Sequence, residues 1–199
     1  MGAYAFCGDA NADPPSRRKP GRRDIVNAFD NVQIDWKGFS YRDLQTDAER
    51  ISSLLAEAGF EPGDRCAILM SNQARWVISA YGALWAGAVL VPLDYKLTAA
   101  EQLALLRHAE PKALITEYGI WQSLEREREK SGQPAQASAL RVIVSEPPTA
   151  AQLGAAVAWQ TPARGPFHYV PRKRDDLASI VYSSGTGGTS HLVGELFDL

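Results

Sequence analysis

Hydrophobic residues along the chain follow two spacings, one typical of helices and one typical of buried strands. Leu44, Ala48, Ile51 and Leu55 recur every three or four residues, which predicts an amphipathic helix over residues 41–58. The same spacing predicts helices over residues 73–86, 99–108 and 117–130. Short apolar runs predict strands over residues 65–70, 89–93, 113–116, 141–144 and 177–182.

Capping and turn residues stand at the expected ends of these elements. Ser40 precedes the first helix, and Thr98 with Glu101 forms a capping box before the third. Asn72 is the predicted cap of the second helix, and Gly59 is the predicted stop of the first. Strands and helices therefore alternate, which predicts an α/β fold with a mainly parallel sheet flanked by helices.

Three regions lack this alternation. Residues 1–30 have no periodicity and are rich in Asp, Asn, Pro and Arg, so we expect a disordered lead. Residues 147–171 contain five prolines and are predicted to be mostly loop. Order is expected over residues 31–189 as one domain, and residues 190–199 form a tail of different character.

Composition and charge are those of an ordinary globular protein. Hydrophobic residues make up 45%, charged residues 22%, and the net charge is −2, so nucleic acid is not an expected partner. Five of the residues 17–23 are basic; such a run is usually solvated, although it can also contact phosphate or anionic lipid. Cys7 and Cys66 do not form a disulfide framework, and the amino terminus lacks a signal-peptide pattern; a cytoplasmic location is predicted.

One uncharged run of eighteen residues, 76–93, has the length of a membrane span. It is interrupted by Gly82, Gly87 and Pro92, so a helix followed by a buried strand explains it better, and no transmembrane segment is predicted. Within it, Trp76, Tyr81 and Trp85 are spaced for one helix face and are predicted to be core residues.

The chemistry-bearing stretch is residues 182–189, which directly follow the last predicted strand. Three glycines in four positions let the backbone approach a ligand closely, and successive N–H groups can converge on an anion. The alternative is a flexible Gly/Ser hairpin tip. A Walker loop is excluded because no lysine follows Lys173, and a dinucleotide fingerprint is excluded because Ser190 stands where its last glycine would be.

Tyr182 through Thr189 resemble, position for position, the phosphate loop of the adenylate-forming superfamily, whose pattern is aromatic, Thr/Ser, Ser, Gly, Thr/Ser, Thr/Ser/Gly, Gly and any residue, followed by Pro-Lys-Gly. Upstream, residues 39–44, 62–69, 72–76 and 86–93 resemble further family segments in family order. The resemblance, to acyl-CoA synthetases in particular, implies a partial amino-terminal domain of an ATP-dependent acid–thiol ligase. It implies a carboxylic acid, ATP, Mg²⁺ and coenzyme A as substrates and cofactors. The residues that would hold the β- and γ-phosphates of MgATP are Ser183, Ser184, Gly185, Thr186, Gly187, Gly188 and Thr189.

The sequence departs from the family after Thr189. Ser190, His191 and Leu192 stand where the family has Pro-Lys-Gly, so the family lysine is replaced by a histidine. We therefore expect a fragment that lacks a carboxy-terminal portion, is inactive alone and is poorly ordered over residues 185–199; no catalytic residue and no protein-held metal are assigned. Two alternatives are a non-catalytic α/β binding module or remnant, and a gene fragment whose product is not stably folded.

Overall fold

A computed structural model describes residues 40–132, 140–146, 153–184 and 190–196. The predicted disordered lead and Cys7 lie outside this range. The described residues belong to one compact unit that spans residues 39–199.

Helices and strands alternate along this unit as the hydrophobic spacing predicts. The helices and strands, in chain order, are α1 Tyr41–Glu57, β1 Arg65–Leu69, α2 Ala74–Trp85, β2 Val89–Pro92, α3 Ala99–Ala109, β3 Ala113–Glu117, α4 Tyr118–Lys130, β4 Arg141–Ser145, β5 Val157–Ala158, β6 Leu177–Ser184 and β7 Ser190–Leu196. They form a seven-stranded sheet in the order β5-β4-β3-β1-β2-β6-β7. All neighbouring pairs are parallel except β6 with β7, so the predicted mainly parallel α/β fold is confirmed.

Two hydrophobic layers cover the two faces of the sheet. Alternate residues of β1 divide between them: Cys66 and Ile68 pack with α1 and α2, whereas Ala67 and Leu69 pack with α3 and α4. Each strand of the sheet centre is buried on both faces, which explains why it appears in the sequence as a continuous apolar run. The Cys66 thiol is fully buried, and burial raises its pKa to about 12, so this cysteine is an inert core residue.

Local capping chemistry fixes the ends of α1 and α3. The Ser40 hydroxyl accepts from the Asp43 amide, and the Asp43 carboxylate accepts from the Ser40 amide at 2.9 Å. Thr98 and Glu101 form the same reciprocal pair at the start of α3, with the Thr98 amide 2.8 Å from the carboxylate. Both predicted caps are confirmed.

Gly59 ends α1 with a φ of +75°, and the amide of Phe60 donates back to the carbonyl of Leu55. A left-handed residue together with this bond forms a Schellman motif at the helix end. Glycine adopts the left-handed conformation more readily than a residue with a side chain. The predicted stop is confirmed, and it turns the chain toward β1.

Three expectations are corrected. Asn72 does not cap α2; the cap position is Gln73, whose side chain makes no bond to the backbone of the helix. Tyr81 is 48% exposed and is not a core residue, because its position on α2 lies outside the stripe that contacts α1. Residues 157–158, predicted as loop, form the short edge strand β5. Residues 190–196 form β7, which pairs with β6 from Ser184 back to Leu177. The expected poor order of residues 185–199 stays a prediction.

In the described part of the chain, no helix combines the length and apolarity that crossing a bilayer requires. The uncharged run over residues 76–93 divides into α2, a glycine turn and β2, as predicted.

Candidate functional site: the β6–β7 hairpin

The predicted phosphate loop connects β6 to β7. Ser183 pairs with His191, and Ser184 pairs with Ser190, so the five residues 185–189 close an antiparallel hairpin. Of the seven predicted site residues, the structure describes the backbone of Ser183 and Ser184, which form the end of β6. Gly185, Thr186, Gly187, Gly188 and Thr189 lie outside the described residues.

The strand that leads to this loop is held in the sheet. Leu90 of β2 is in parallel register with Ser179 of β6, so β6 runs in the same direction as β1 to β4. Ile180 is buried in the layer beneath α3, and Leu177 and Tyr182 pack against the same layer. β6 is therefore held by β2 at Ser179, by β7 along its length, and by a hydrophobic layer through Tyr182.

Tyr182, the aromatic residue that begins the loop pattern, also contacts α3 through a polar bond. Its hydroxyl lies 2.8 Å from Nδ1 of His108, and the two rings meet edge to face with centroids 5.7 Å apart. Burial raises the pKa of the Tyr182 hydroxyl, against a smaller opposing effect of the Arg65 charge, so the phenol remains protonated at neutral pH.

Sequence reasoning missed His108, because 74 residues separate it from Tyr182 and its own helix explains its presence. A histidine in the last turn of α3 is adequately accounted for by the helix dipole, so the sequence offers no signal for the contact with β6.

A second polar cluster lies where β1 and β3 end. The connection after β1 leads to β2 on one side, and the connection after β3 leads to β4 on the other side. Such a reversal opens a crevice at the carboxyl ends of the two strands, where open α/β sheets often bind ligands. In this protein one oxygen of the Glu117 carboxylate occupies that position.

Three donors surround this oxygen. The Ser71 amide and hydroxyl each lie 2.6 Å from Oε1 of Glu117, and the Gln73 side-chain amide lies at 2.8 Å. The carboxylate therefore stands near the first turn of α2, whose cap residue Gln73 makes no side-chain bond to the helix backbone, and its charge is favourable beside the helix amino terminus. The crevice is satisfied internally by a negative charge, and a phosphate there would be repelled.

Metal-ligating residues do not cluster in the described residues. Over residues 40–132, 140–146, 153–184 and 190–196, no group of three His, Cys, Asp or Glu side chains is arranged to hold an ion.

The β6–β7 hairpin lies within the region that matches a known protein family. The sequence model of the AMP-binding enzyme family matches residues 15–193, which include β6, the loop and the first half of β7. The chain belongs to the AMP-binding enzyme family.

Individual AMP-binding enzymes resemble the chain at a moderate level. A 2-succinylbenzoate–CoA ligase from Bacillus licheniformis is 28% identical over 167 residues, which cover 83% of this chain and 30% of that protein. A crotonobetaine/carnitine–CoA ligase from Salmonella paratyphi A is 27% identical over 161 residues and 30% of its length. The chain thus spans 30% of the length of each of these two relatives.

Solved structures share the fold. The anthranilate CoA ligase AuaEII in complex with anthranoyl-AMP superimposes with a TM-score of 0.65 at 22% identity, over 78% of this chain and 29% of that one. ATP-bound MatB from Rhodopseudomonas palustris gives 0.61 at 24% identity, over 80% and 30% of the two chains. At these identities the likeness establishes the α/β fold of the AMP-binding family and not a shared substrate.

Proposed function

We propose that this chain supplies the ATP phosphate loop of an acid–thiol ligase of the AMP-binding family. The loop residues would be Ser183, Ser184, Gly185, Thr186, Gly187, Gly188 and Thr189. The observation that carries the proposal is the position of this glycine- and hydroxyl-rich run. It lies at the turn of a hairpin that is anchored in a parallel sheet, within the region that matches the family.

The chemistry of the loop suits a polyphosphate. Backbone N–H groups in glycine-rich turns can point together at phosphate oxygens, and serine and threonine hydroxyls add further donors. The loop sequence 183–189 contains no carboxylate, so its charge does not oppose the ligand. Since the chain offers no metal-binding carboxylate there, Mg²⁺ would arrive bound to ATP and would offset the charge of the departing pyrophosphate.

The reaction of such a ligase has two stages. A carboxylate oxygen attacks the α-phosphorus of ATP, which forms the acyl-adenylate and releases pyrophosphate. The thiol of coenzyme A then attacks the acyl carbon, which forms the thioester and releases AMP. In the first stage the loop would hold the β- and γ-phosphates in place, so that the leaving pyrophosphate is aligned and its developing charge is stabilised.

We further propose that the 199-residue polypeptide does not complete this reaction by itself. His191 stands at the position of the family lysine, and an imidazole is shorter than a lysine side chain and is not a permanent cation at neutral pH. Family resemblance assigns only phosphate contacts to residues of this chain. Loop positioning alone leaves the transition state without most of the stabilisation that adenylate formation needs.

A second candidate is a non-catalytic α/β partner-binding module or remnant. The observation that favours it is the pairing of Ser190, His191 and Leu192 with β6, because these residues replace the family Pro-Lys-Gly and extend the hairpin as ordinary strand. Both candidates share the α/β scaffold and differ in whether the loop binds phosphate.

Calorimetric titration with MgATP tests the proposal. Fixing the backbone of one residue costs about 1–2 kcal/mol, and binding must offset this cost for each residue that it orders, so we expect binding no tighter than about millimolar. Gly188→Val should abolish this binding, whereas Gly119→Ala, a change on α4 where a Cβ meets nothing within 4 Å, should leave it unchanged. Absence of any MgATP binding to the folded chain would favour the non-catalytic module.

Two further measurements address the proposed inactivity. The chain should not exchange pyrophosphate into ATP, and exchange that Gly188→Val abolishes would contradict the proposal. The triple variant Ser190→Pro, His191→Lys and Leu192→Gly should tighten MgATP binding only modestly. A micromolar dissociation constant for the unaltered chain would show that the loop is preorganised without a lysine.

A further inference from the structure

We infer that His108 is a positioning residue for the β6–β7 hairpin, and that its hydrogen bond to Tyr182 fixes the point at which the chain leaves the sheet toward the proposed phosphate loop. The inference deepens the proposed function and rests on it for its connection to ATP. The bond itself is a feature of the scaffold.

The geometry of the pair has two parts. The 2.8 Å separation between the hydroxyl and Nδ1 is a normal hydrogen bond, whichever tautomer the imidazole adopts. The edge-to-face contact at 5.7 Å adds a preferred ring orientation. Together they fix both the distance and the direction of the Tyr182 side chain.

The two partners differ in how firmly they are held. His108 belongs to α3, which begins with a capping box and buries Leu103 and Leu106 beneath the sheet. Tyr182 stands three residues beyond Ser179, the position at which β6 is in register with β2, and two residues before Ser184, the end of β6. The bond therefore ties the end of β6 to a rigid element at the point where pairing with β2 no longer holds it.

If Tyr182 were held only by its pairing with β7, the end of β6 could move together with β7 as a two-stranded hairpin. Two paired strands in isolation are only marginally stable in water and gain their order from packing against a further layer. The described contacts that join Tyr182 to that layer are its ring packing and the bond to His108. We therefore expect the hydroxyl to contribute to the order of the hairpin more than to global stability.

The chain offers a matched control. The Tyr118 hydroxyl also accepts a hydrogen bond at 2.8 Å, from the Gln122 side chain, and its ring also contacts an aromatic neighbour, Trp121. This tyrosine lies on α4 and has no described contact with β6. Tyr118→Phe thus removes an equivalent hydroxyl away from the hairpin.

Amide hydrogen exchange of the 199-residue chain tests the inference, read on peptides that span β6 and β7 and on α4. Tyr182→Phe and His108→Ala should each raise the amide exchange rates of β6 and β7 by about 2- to 10-fold. This factor corresponds to the loss of one hydrogen bond. His108→Asn, which keeps a polar atom near the position of Nδ1, should restore most of the protection. Tyr118→Phe should leave β6 and β7 unchanged.

MgATP titration of the same variants provides the second readout. If the loop binds ATP, Tyr182→Phe and His108→Ala should weaken binding by a similar 2- to 10-fold, and His108→Asn should recover it. If the unaltered chain binds no MgATP, the proposed function fails while the exchange data still test the positioning role. Unchanged exchange in β6 and β7, or an equal rise across all helices, would overturn the inference.

Discussion

Polar residues lie at two places along the sheet, one where β1 and β3 end and one where β6 ends, and the two places differ in how their hydrogen-bond donors are used. Where β1 and β3 end, the Glu117 carboxylate accepts from Ser71 and Gln73, so the chain satisfies its own crevice. Where β6 ends, the following residues are glycines and hydroxyl-bearing residues. The described polar contact near this end is the hydrogen bond between His108 of α3 and the Tyr182 hydroxyl. The position at a strand end does not by itself make a ligand site.

The comparison shows why fold rules locate candidate sites without deciding among them. The reversal of strand order points to the crevice between β1 and β3. Electrostatics exclude phosphate there, because a carboxylate already occupies the donors. The proposed site, although it lies off the reversal point, is the glycine-rich run between β6 and β7, whose residue types can supply backbone and hydroxyl donors to an anion.

The largest effect is expected at the contact between α1 and α2, the helix whose cap residue Gln73 bonds to Glu117. A Cβ at Gly82 would lie 2.7 Å from the Ile51 Cβ and 2.8 Å from the Ala48 carbonyl oxygen, so Gly82→Val forces the two helices apart. We expect a loss of about 3 kcal/mol of unfolding free energy, measured by urea denaturation. Gly119→Ala, in open space on α4, is the control and should change stability by at most about 1 kcal/mol in the stabilising direction. Equal stabilities of the two variants would contradict the helix packing described above.

A smaller effect is expected from removing the carboxylate that fills the crevice. Glu117→Ala leaves the Ser71 amide, the Ser71 hydroxyl and the Gln73 amide without their acceptor, at a cost of about 2 kcal/mol in unfolding free energy. Glu117→Gln keeps a neutral acceptor oxygen and should cost about half as much. MgATP binding should not weaken in either variant while the protein is folded. Loss of nucleotide binding from a folded Glu117→Gln protein would place the site in the crevice instead of the hairpin.

The smallest effect concerns pH and the capped helices of the scaffold. Bonds from the Ser40 hydroxyl and amide lower the pKa of Asp43, and bonds from the Thr98 hydroxyl and amide lower the pKa of Glu101. The unfolded chain then binds more protons than the folded chain near pH 4, so stability falls as pH drops from about 5 to about 3.

The double variant Asp43→Asn and Glu101→Gln should lose less stability than the unaltered chain as the pH falls from about 5 to about 3. Denaturation midpoints measured at pH 3, 4, 5 and 7 on both proteins check the expectation. An unchanged slope in the variant would mean that other carboxylates dominate the acid response.

Much of the scaffold was predictable because its signals are local. The spacing of Leu44, Ala48 and Ile51, the capping boxes and Gly59 each act within one helix or turn, and each was confirmed. The family pattern over residues 182–189 likewise needs only consecutive residues, and the family match confirms the membership that it implied. The binding role of those residues stays a prediction.

The features that the sequence did not predict depend on contacts between residues far apart in the chain. Glu117 bonds to residues 44 and 46 positions away, and its role is invisible in a run that predicts only a strand followed by a helix. Tyr81 fits the helical spacing but lies beside the buried stripe of α2, which only the packing of α1 defines.

The most direct test of the central claim is a map of where MgATP acts on the folded chain. Amide chemical shifts of the ¹⁵N-labelled protein are followed as MgATP is added to about 10 mM. If the hairpin is the site, the largest chemical-shift changes should occur at residues 183–190, with a dissociation constant of about millimolar. The amide signals of Ser71, Gln73 and Glu117 should not change. Shifts centred on Ser71 and Glu117, or a flat response throughout the hairpin, would contradict the assignment of phosphate binding to the β6–β7 loop.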